Sequence, residues 1–309
     1  MISLSVKYIS AILFVGLLSL NANCQNTMAH GPSVGEEGNG KTAVGHGDVL
    51  EGEDGQVAKL PNIDLSHWKV TLPVGNPTEV EPPEILDYAN NEVLKDFMYN
   101  DPKDASLVFM TYPNSSTANS SYSRTELREQ MVPGRNDVNW TFVQGGRMKG
   151  TLSVPVISRA KDGKYHRTII MQIHGRLSNA QKELIGQDDN NAPPILKIYW
   201  HNGKIRVKTK VLKKLKASEE EILHTSAWGD DEGYTFPEAV GAKKFTLEVI
   251  ASEGRLEVIL NEKDSVVYEN IHMEKWGVFE NYFKAGNYFQ SKDKGSYAMV
   301  KYYALTVDH

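Results

Sequence analysis

The chain has 309 residues, 24% charged and 40% hydrophobic, with a formal net charge of −5. That balance excludes a disordered polar chain, a fibre and a general binder of nucleic acid or other polyanions. Cys24 is the only cysteine, so an internal disulfide framework is excluded as well.

Lys7 precedes the apolar run from Ile9 to Leu20, which ends in Asn21-Ala22-Asn23-Cys24. Residues 1–24 therefore read as an export signal, too short to cross a bilayer as a stable helix. The position of Cys24 fits a lipidated cysteine. Asn21 and Asn23, however, stand where lipoprotein signals usually carry an aliphatic and a small residue, so ordinary secretion with an incidental cysteine stays open. Either reading takes the protein out of the cytoplasm, as a secreted or lipid-anchored bacterial product that meets a membrane only through its anchor.

Residues 25–59 hold eight glycines, six acids (Glu36, Glu37, Asp48, Glu51, Glu53, Asp54) and two bases (Lys41, Lys59), the composition of a flexible acidic linker. Subtracting its −4 and the +1 of Lys7 from the total of −5 leaves −2 for residues 60–309. If that domain takes an acidic substrate, its bases must be gathered locally.

From Leu60 onward, strand-like runs dominate. Trp68 to Pro73 comes first, then a Pro-rich, partly helical passage from Pro82 to Tyr99, then Ser106 to Thr111. A loop from Tyr112 to Ser121 leads into Tyr122 to Glu129, where Arg124, Glu126 and Arg128 alternate with Thr125 and Leu127, the pattern of a strand with one charged and one buried face. Arg147 to Ile157 and Thr168 to Gly175 follow. Ile195 to Trp200 and Lys204 to Lys208 flank Asn202-Gly203, a strong hairpin signal. The lysine-rich Lys208 to Lys216 and the acidic Glu219 to Glu221 read as a solvated excursion. A second hairpin joins Phe245 to Ile250 with Leu256 to Leu260, and the chain closes with Tyr282 to Gln290 and Tyr297 to Val307. Many short strands without strand-helix alternation argue for an all-β jelly-roll sandwich as one domain over residues 60–309.

Three of these strands carry polar residues at i, i+2 spacing, which puts them on one face. They are Arg124/Glu126/Arg128, Gln172/His174 and Tyr282/Lys284/Tyr288/Gln290. Gln-x-His alone would most often be a pair of satisfied hydrogen-bonding groups. Together the three faces outline a concave groove for an acidic chain, although Glu126 and Arg128 fit a structural ion-pair ladder equally well.

The segments Arg124-Thr-Glu-Leu-Arg128, Gln172-Ile-His174 and Tyr282-Phe-Lys-Ala-Gly-Asn-Tyr-Phe-Gln290 resemble, in order and without departure, the markers of the polysaccharide lyase family 7 alginate lyases. The resemblance runs from about Leu60 to His309. It implies a β-jelly roll, cleavage of alginate by β-elimination, and catalytic residues at Arg124, Gln172, His174 and Tyr288. In that scheme Arg124 neutralises the uronate carboxylate and Gln172 donates to the enolate-like intermediate. His174 is the base and Tyr288 the acid for guluronate. For mannuronate Tyr288 would do both, given a pKa depressed by Arg124 and Lys284. Glu126, Arg128, Lys284 and Gln290 line the groove and bind substrate, with Glu126 bridging the arginines. Isoleucine at 173 accompanies a guluronate preference in this family.

The remaining histidines show no metal-ligand spacing, so neither metal nor other cofactor is expected. Alternatives are a non-catalytic acidic-polysaccharide-binding jelly roll, which would not need the His174/Tyr288 pair, and a lyase for another polyuronate such as glucuronan. A glycoside hydrolase would need paired carboxylates; Glu262-Lys263-Asp264 lacks the second glutamate.

Overall fold

Alternation of apolar and polar residues builds the strands: along Arg255–Leu260, Leu256, Val258 and Leu260 are fully buried while the residues between them are half-buried. The computed structural model describes residues 49–51, 57–59, 61–116 and 120–309. The expected export signal with Cys24, and the first part of the expected linker, lie outside them. Within the later part of that linker, Val49–Glu51 and Val57–Lys59 pair antiparallel.

Two antiparallel sheets form a jelly-roll sandwich. The eight-stranded sheet runs Asp264–Glu269, Arg255–Leu260, Phe245–Ser252, Gly146–Ile157, Ala298–Asp308, Leu107–Thr111 and Met98–Asn100, with Asn62–Ile63 beside Ala298–Asp308. The ten-stranded sheet runs Trp228–Asp230, Lys204–Leu212, Asn191–His201, Arg167–Arg176, Glu280–Phe289, Arg124–Glu129, Trp68–Thr71 and Glu79–Val80, with two short strands off this path. The helices described are Asn179–Leu184, Ile271–Trp276 and three short 3-10 segments. One of these, Glu84–Asp87, lies in the passage expected to be partly helical.

The Asn202-Gly203 turn has both residues at positive φ, 50° and 78°, the two-residue geometry whose twist matches a hairpin. Lys208 to Leu212 corrects the expectation of a solvated excursion, because the strand continues through it. Thr209 and Leu212 are buried, while Lys208 and Lys210 stand half-buried on either side of Thr209.

The two sheets are pinned together behind the strand Glu280–Phe289. Buried Asn287 donates from Nδ2 to the carbonyls of Phe109 (3.0 Å) and Ala298 (2.7 Å) in the opposite sheet, and its Oδ1 accepts from Thr168 Oγ1 at 2.7 Å. Register slips between Ile169 and Met171 against both neighbouring strands. The Tyr302 hydroxyl, reaching in from the other sheet, takes up backbone groups at the slip: it accepts from Gly286 N (3.3 Å) and donates to Ile170 O (2.5 Å). Buried polar backbone is thereby satisfied where the ladder breaks. Ile170, Met171 and Ile173 belong to the core, and Ile169 comes opposite Tyr288.

Candidate active site

Directly opposite residues of paired strands present their side chains on the same face. On the ten-stranded sheet Lys69, Arg128, Lys284 and Gln172 face one another in turn across four strands. To one side of this row His174 lies opposite Tyr282. To the other side Glu126 lies opposite Gly286, and Arg124 opposite Tyr288. The three polar faces expected from the sequence thus meet, with His174 and Tyr288 flanking the cationic row.

Glu126 is the hub. Only 1% exposed, it accepts from Gln172 Nε2 (2.5 Å), Lys284 Nζ (2.5 Å) and Arg124 Nη1 (3.2 Å). It therefore bridges Arg124 and Lys284, and not the two arginines as expected. Arg128 is held separately, by the Glu129 and Asn136 carbonyls and by Asn139 Oδ1, with its guanidinium 4.1 Å above the Tyr282 ring. The Lys284 ammonium is pushed down to about 8 by burial first and by the neighbouring Arg124 charge next; its ion pair with Glu126 only partly offsets them.

His174 is held as a neutral base. Its Nδ1 lies 2.9 Å from the Gly175 carbonyl, which can only accept, so Nδ1 carries the proton and Nε2 keeps its lone pair. Its ring stacks on Tyr282, centroids 5.2 Å apart and planes 14° from parallel. Burial, then the Lys284, Arg124 and Arg128 charges, push the imidazole down to about 3, against a smaller upward pull from the Gly175 hydrogen bond. Burial also pushes the Tyr282 phenol up, so that it stays protonated.

Tyr288 donates its hydroxyl to Ser120 Oγ at 2.9 Å, and Ser120 Oγ donates onward to the Tyr122 carbonyl at 3.0 Å. The Arg124 guanidinium lies 3.9 Å from the centre of the Tyr288 ring. Arg124 Nε is buried and makes no hydrogen bond with the protein, while the side chain lines the neighbouring groove.

Arg124, Arg128, His174, Tyr282 and Lys284 open on a groove of about 580 Å³ whose lining includes five cations, Lys69, Arg124, Arg128, Arg176 and Lys284, against Glu79, Asp137 and Asp189; Gln172 and Tyr288 lie outside its lining. Lys69 and Arg176 are themselves paired, to Glu79 and Glu280. Gln290, expected to bind substrate, does not line this groove; its amide donates to the Tyr288 carbonyl at 3.2 Å. Sequence reasoning assigned no part to Ser120, Lys69 or Arg176. Lys69 and Arg176 each continue a polar alternation (Lys69/Thr71; Gln172/His174/Arg176), a signal that was available. Ser120 sits in a serine-rich loop with nothing to distinguish it.

The family model described as alginate lyase matches residues 63–309. No curated protein sequence matches. Among solved structures the chain is similar to alginate lyase A1-II′ of polysaccharide lyase family 7, with 28% identity over 80% of this chain and 96% of that one and a TM-score of 0.65. A variant of that enzyme with a histidine replaced by asparagine and a tyrosine by phenylalanine, in complex with substrate (GGMG), aligns at 27% identity, covering 80% and 94%, with a TM-score of 0.64. An alginate lyase from Pseudomonas aeruginosa shares the fold at 20% identity, covering 80% and 100%, with a TM-score of 0.59. With the match spanning the whole sandwich and its groove, the chain belongs to the alginate lyases of polysaccharide lyase family 7.

Proposed function

We propose that this protein is exported and cleaves alginate by β-elimination, with a preference for guluronate-containing blocks. The observation that carries the reading is the register that sets His174, its Nδ1 donating to the Gly175 carbonyl, and Tyr288 on opposite sides of the Lys284–Gln172 row. Relatives crystallised with substrate (GGMG) and with product (GGG) support an oligouronate in this groove.

The uronate carboxylate must be neutralised before the C5 proton can leave, and Arg124, which lines the groove and is held by Glu126, is the fixed cation for it. Gln172 has its amide oriented by Glu126. One of its N–H groups is taken by that carboxylate, and the second is a donor for charge developing on the substrate carboxylate. His174 Nε2 takes the C5 proton, the C5–H electrons become the C4–C5 double bond, the C4–O4 bond breaks, and Tyr288 protonates the departing O4. The products are one chain with an unsaturated C4–C5 bond at its non-reducing end and one whose new reducing-end hydroxyl, on C1, is the departed oxygen.

A base and an acid on opposite sides suit a uronate whose C5 proton and O4 lie on opposite faces, as in guluronate. Ile173, fully buried behind the strand, acts on this only through the seating of Gln172 and His174, where small displacements change proton-transfer geometry. The export part of the proposal rests on Lys7, the apolar run and Cys24.

The test is to incubate the protein with purified polyguluronate, mixed and polymannuronate blocks and follow the ultraviolet absorbance of unsaturated uronate ends. The chromophore should appear, fastest with guluronate-containing blocks. New reducing ends without the chromophore would mean hydrolysis and overturn the mechanism; faster cutting of polymannuronate would overturn the preference.

A further inference from the structure

The cationic row does not stop at Gln172. Directly opposite Gln172 on the next strand is Lys197, and directly opposite Lys197 on the strand after that is Lys208. Adjacent strands lie about 4.8 Å apart, so the row Lys69, Arg128, Lys284, Gln172, Lys197, Lys208 puts a donor at each strand, a step comparable with one sugar unit of an extended chain. Lys210 is one alternation further along Lys204–Leu212 and shares the face of Lys208.

The heads of these three lysines converge on one carboxylate. Asp230 receives Lys197 Nζ on both oxygens (3.1 and 3.0 Å) and Lys210 Nζ on Oδ1 (2.6 Å), while Lys208 Nζ stands 4.0 Å from Oδ2, too far for a hydrogen bond. The side chains are only 15%, 26% and 15% exposed for Lys197, Lys208 and Lys210, so the ammoniums are gathered against the sheet and not spread into solvent. Three positive charges against one negative leave an excess of two, and each ammonium has three donors. Arg206, on the same strand and face, is tied to Thr235 Oγ1 and the Glu232 carbonyl. Asp231 is occupied by Thr209. A shared carboxylate that holds like charges together, with donors left over, is a device for receiving a second anion.

We infer that Lys197, Lys208 and Lys210, gathered by Asp230, form a distal subsite that binds a carboxylate of the same polyuronate chain, beyond the unit held between His174 and Tyr288. The inference rests on the proposed function and adds to it: affinity accrues from sugar units remote from the bond that breaks, and long chains are favoured over short ones. Lys208 is the informative position, because its ammonium is not hydrogen-bonded to Asp230 and its removal leaves the Lys197 and Lys210 contacts in place.

The test is the length dependence of kcat/KM on size-defined oligouronates and on polymer, for wild type, Lys208→Ala and Lys197→Gln, with thermal midpoints measured alongside. Wild type should gain in kcat/KM as the substrate lengthens, and in Lys208→Ala that gain should shrink roughly tenfold, the loss of one charged contact, with an unchanged midpoint. Lys197→Gln should show the same direction. A length dependence equal to wild type in both variants overturns the subsite while leaving the proposed function standing. If wild type forms no unsaturated product from any polyuronate, the proposed function fails, and the subsite with it.

Discussion

Gln172 and Glu126 lie on strands that do not pair with each other, yet Gln172 Nε2 and Glu126 Oε1 are 2.5 Å apart. The strand between them has Gly286 opposite Glu126, so that strand sets no side chain directly opposite the carboxylate. Gly286 has φ +134°, and a Cβ there would lie 2.7 Å from the Thr125 carbonyl oxygen and 3.0 Å from Glu126 Cα, distances that backbone atoms cannot relax easily. The glycine of Lys284-Ala-Gly286 therefore lets three strands share one carboxylate.

Gly286→Ala should lower stability by about 1–3 kcal/mol, the usual magnitude for a side chain forced into such backbone, and should lower kcat/KM of the folded fraction as well. Denaturant midpoints together with rates at low denaturant check both parts. A variant with wild-type stability and rate would show that the close approach is not needed.

Lys284 carries its charge below about 8 and loses it above, because burial and Arg124 hold its folded pKa below the unfolded value of 10.5. The penalty on stability is fully present below about 8 and lifts as pH climbs from there toward 10.5. For catalysis the sign is opposite: binding of a polyanion weakens as Lys284 discharges. kcat/KM on alginate should fall as pH rises through about 8, and in Lys284→Gln it should be lower at neutral pH and lack that limb. An unchanged alkaline limb in Lys284→Gln would assign it to another group.

His174 should remain neutral across the working range in the free protein, since its imidazole sits at about 3. An oligouronate offsets the Lys284, Arg124 and Arg128 charges that disfavour the imidazolium, and so should raise this value. Imidazole chemical shifts against pH, with and without an oligouronate in the Tyr288→Phe variant, check both points. Titration near 6.5 in the free protein would contradict the burial argument.

How much was legible in the sequence follows from range. The polar faces of Arg124–Glu129 and of the strand holding Gln172 and His174 could be read because strand alternation is local. Their partners could not: the Glu126–Gln172 bond spans 46 residues and the Tyr288–Ser120 bond 168, and nothing local specifies either. The slip at Ile170 is likewise set by pairing, not by pattern. Lys208 to Leu212 was misread because five lysines in the nine residues from Lys208 to Lys216 outweighed a period-two alternation visible in Lys208-Thr209-Lys210; that strand carries two of the three distal lysines.

Cys24→Ser tests export by lipid anchoring. Wild type should partition with the membrane fraction and the variant should be released, checked by fractionation of the expressing bacterium and by mass measurement of the mature N-terminus. Wild type recovered only in the soluble secreted fraction, with Cys24 unmodified, would make the cysteine incidental.

The central claim is that His174 and Tyr288 move the two protons of the elimination. Initial rates of unsaturated-end formation on alginate for wild type, His174→Ala and Tyr288→Phe, measured beside their thermal midpoints, test it most directly. Each variant should lose roughly 10²- to 10⁴-fold in turnover, the contribution of a positioned acid or base, and Tyr288→Phe should keep its midpoint because it gives up one hydroxyl contact to Ser120. Turnover within a few-fold of wild type, or a loss that merely tracks unfolding, would contradict it.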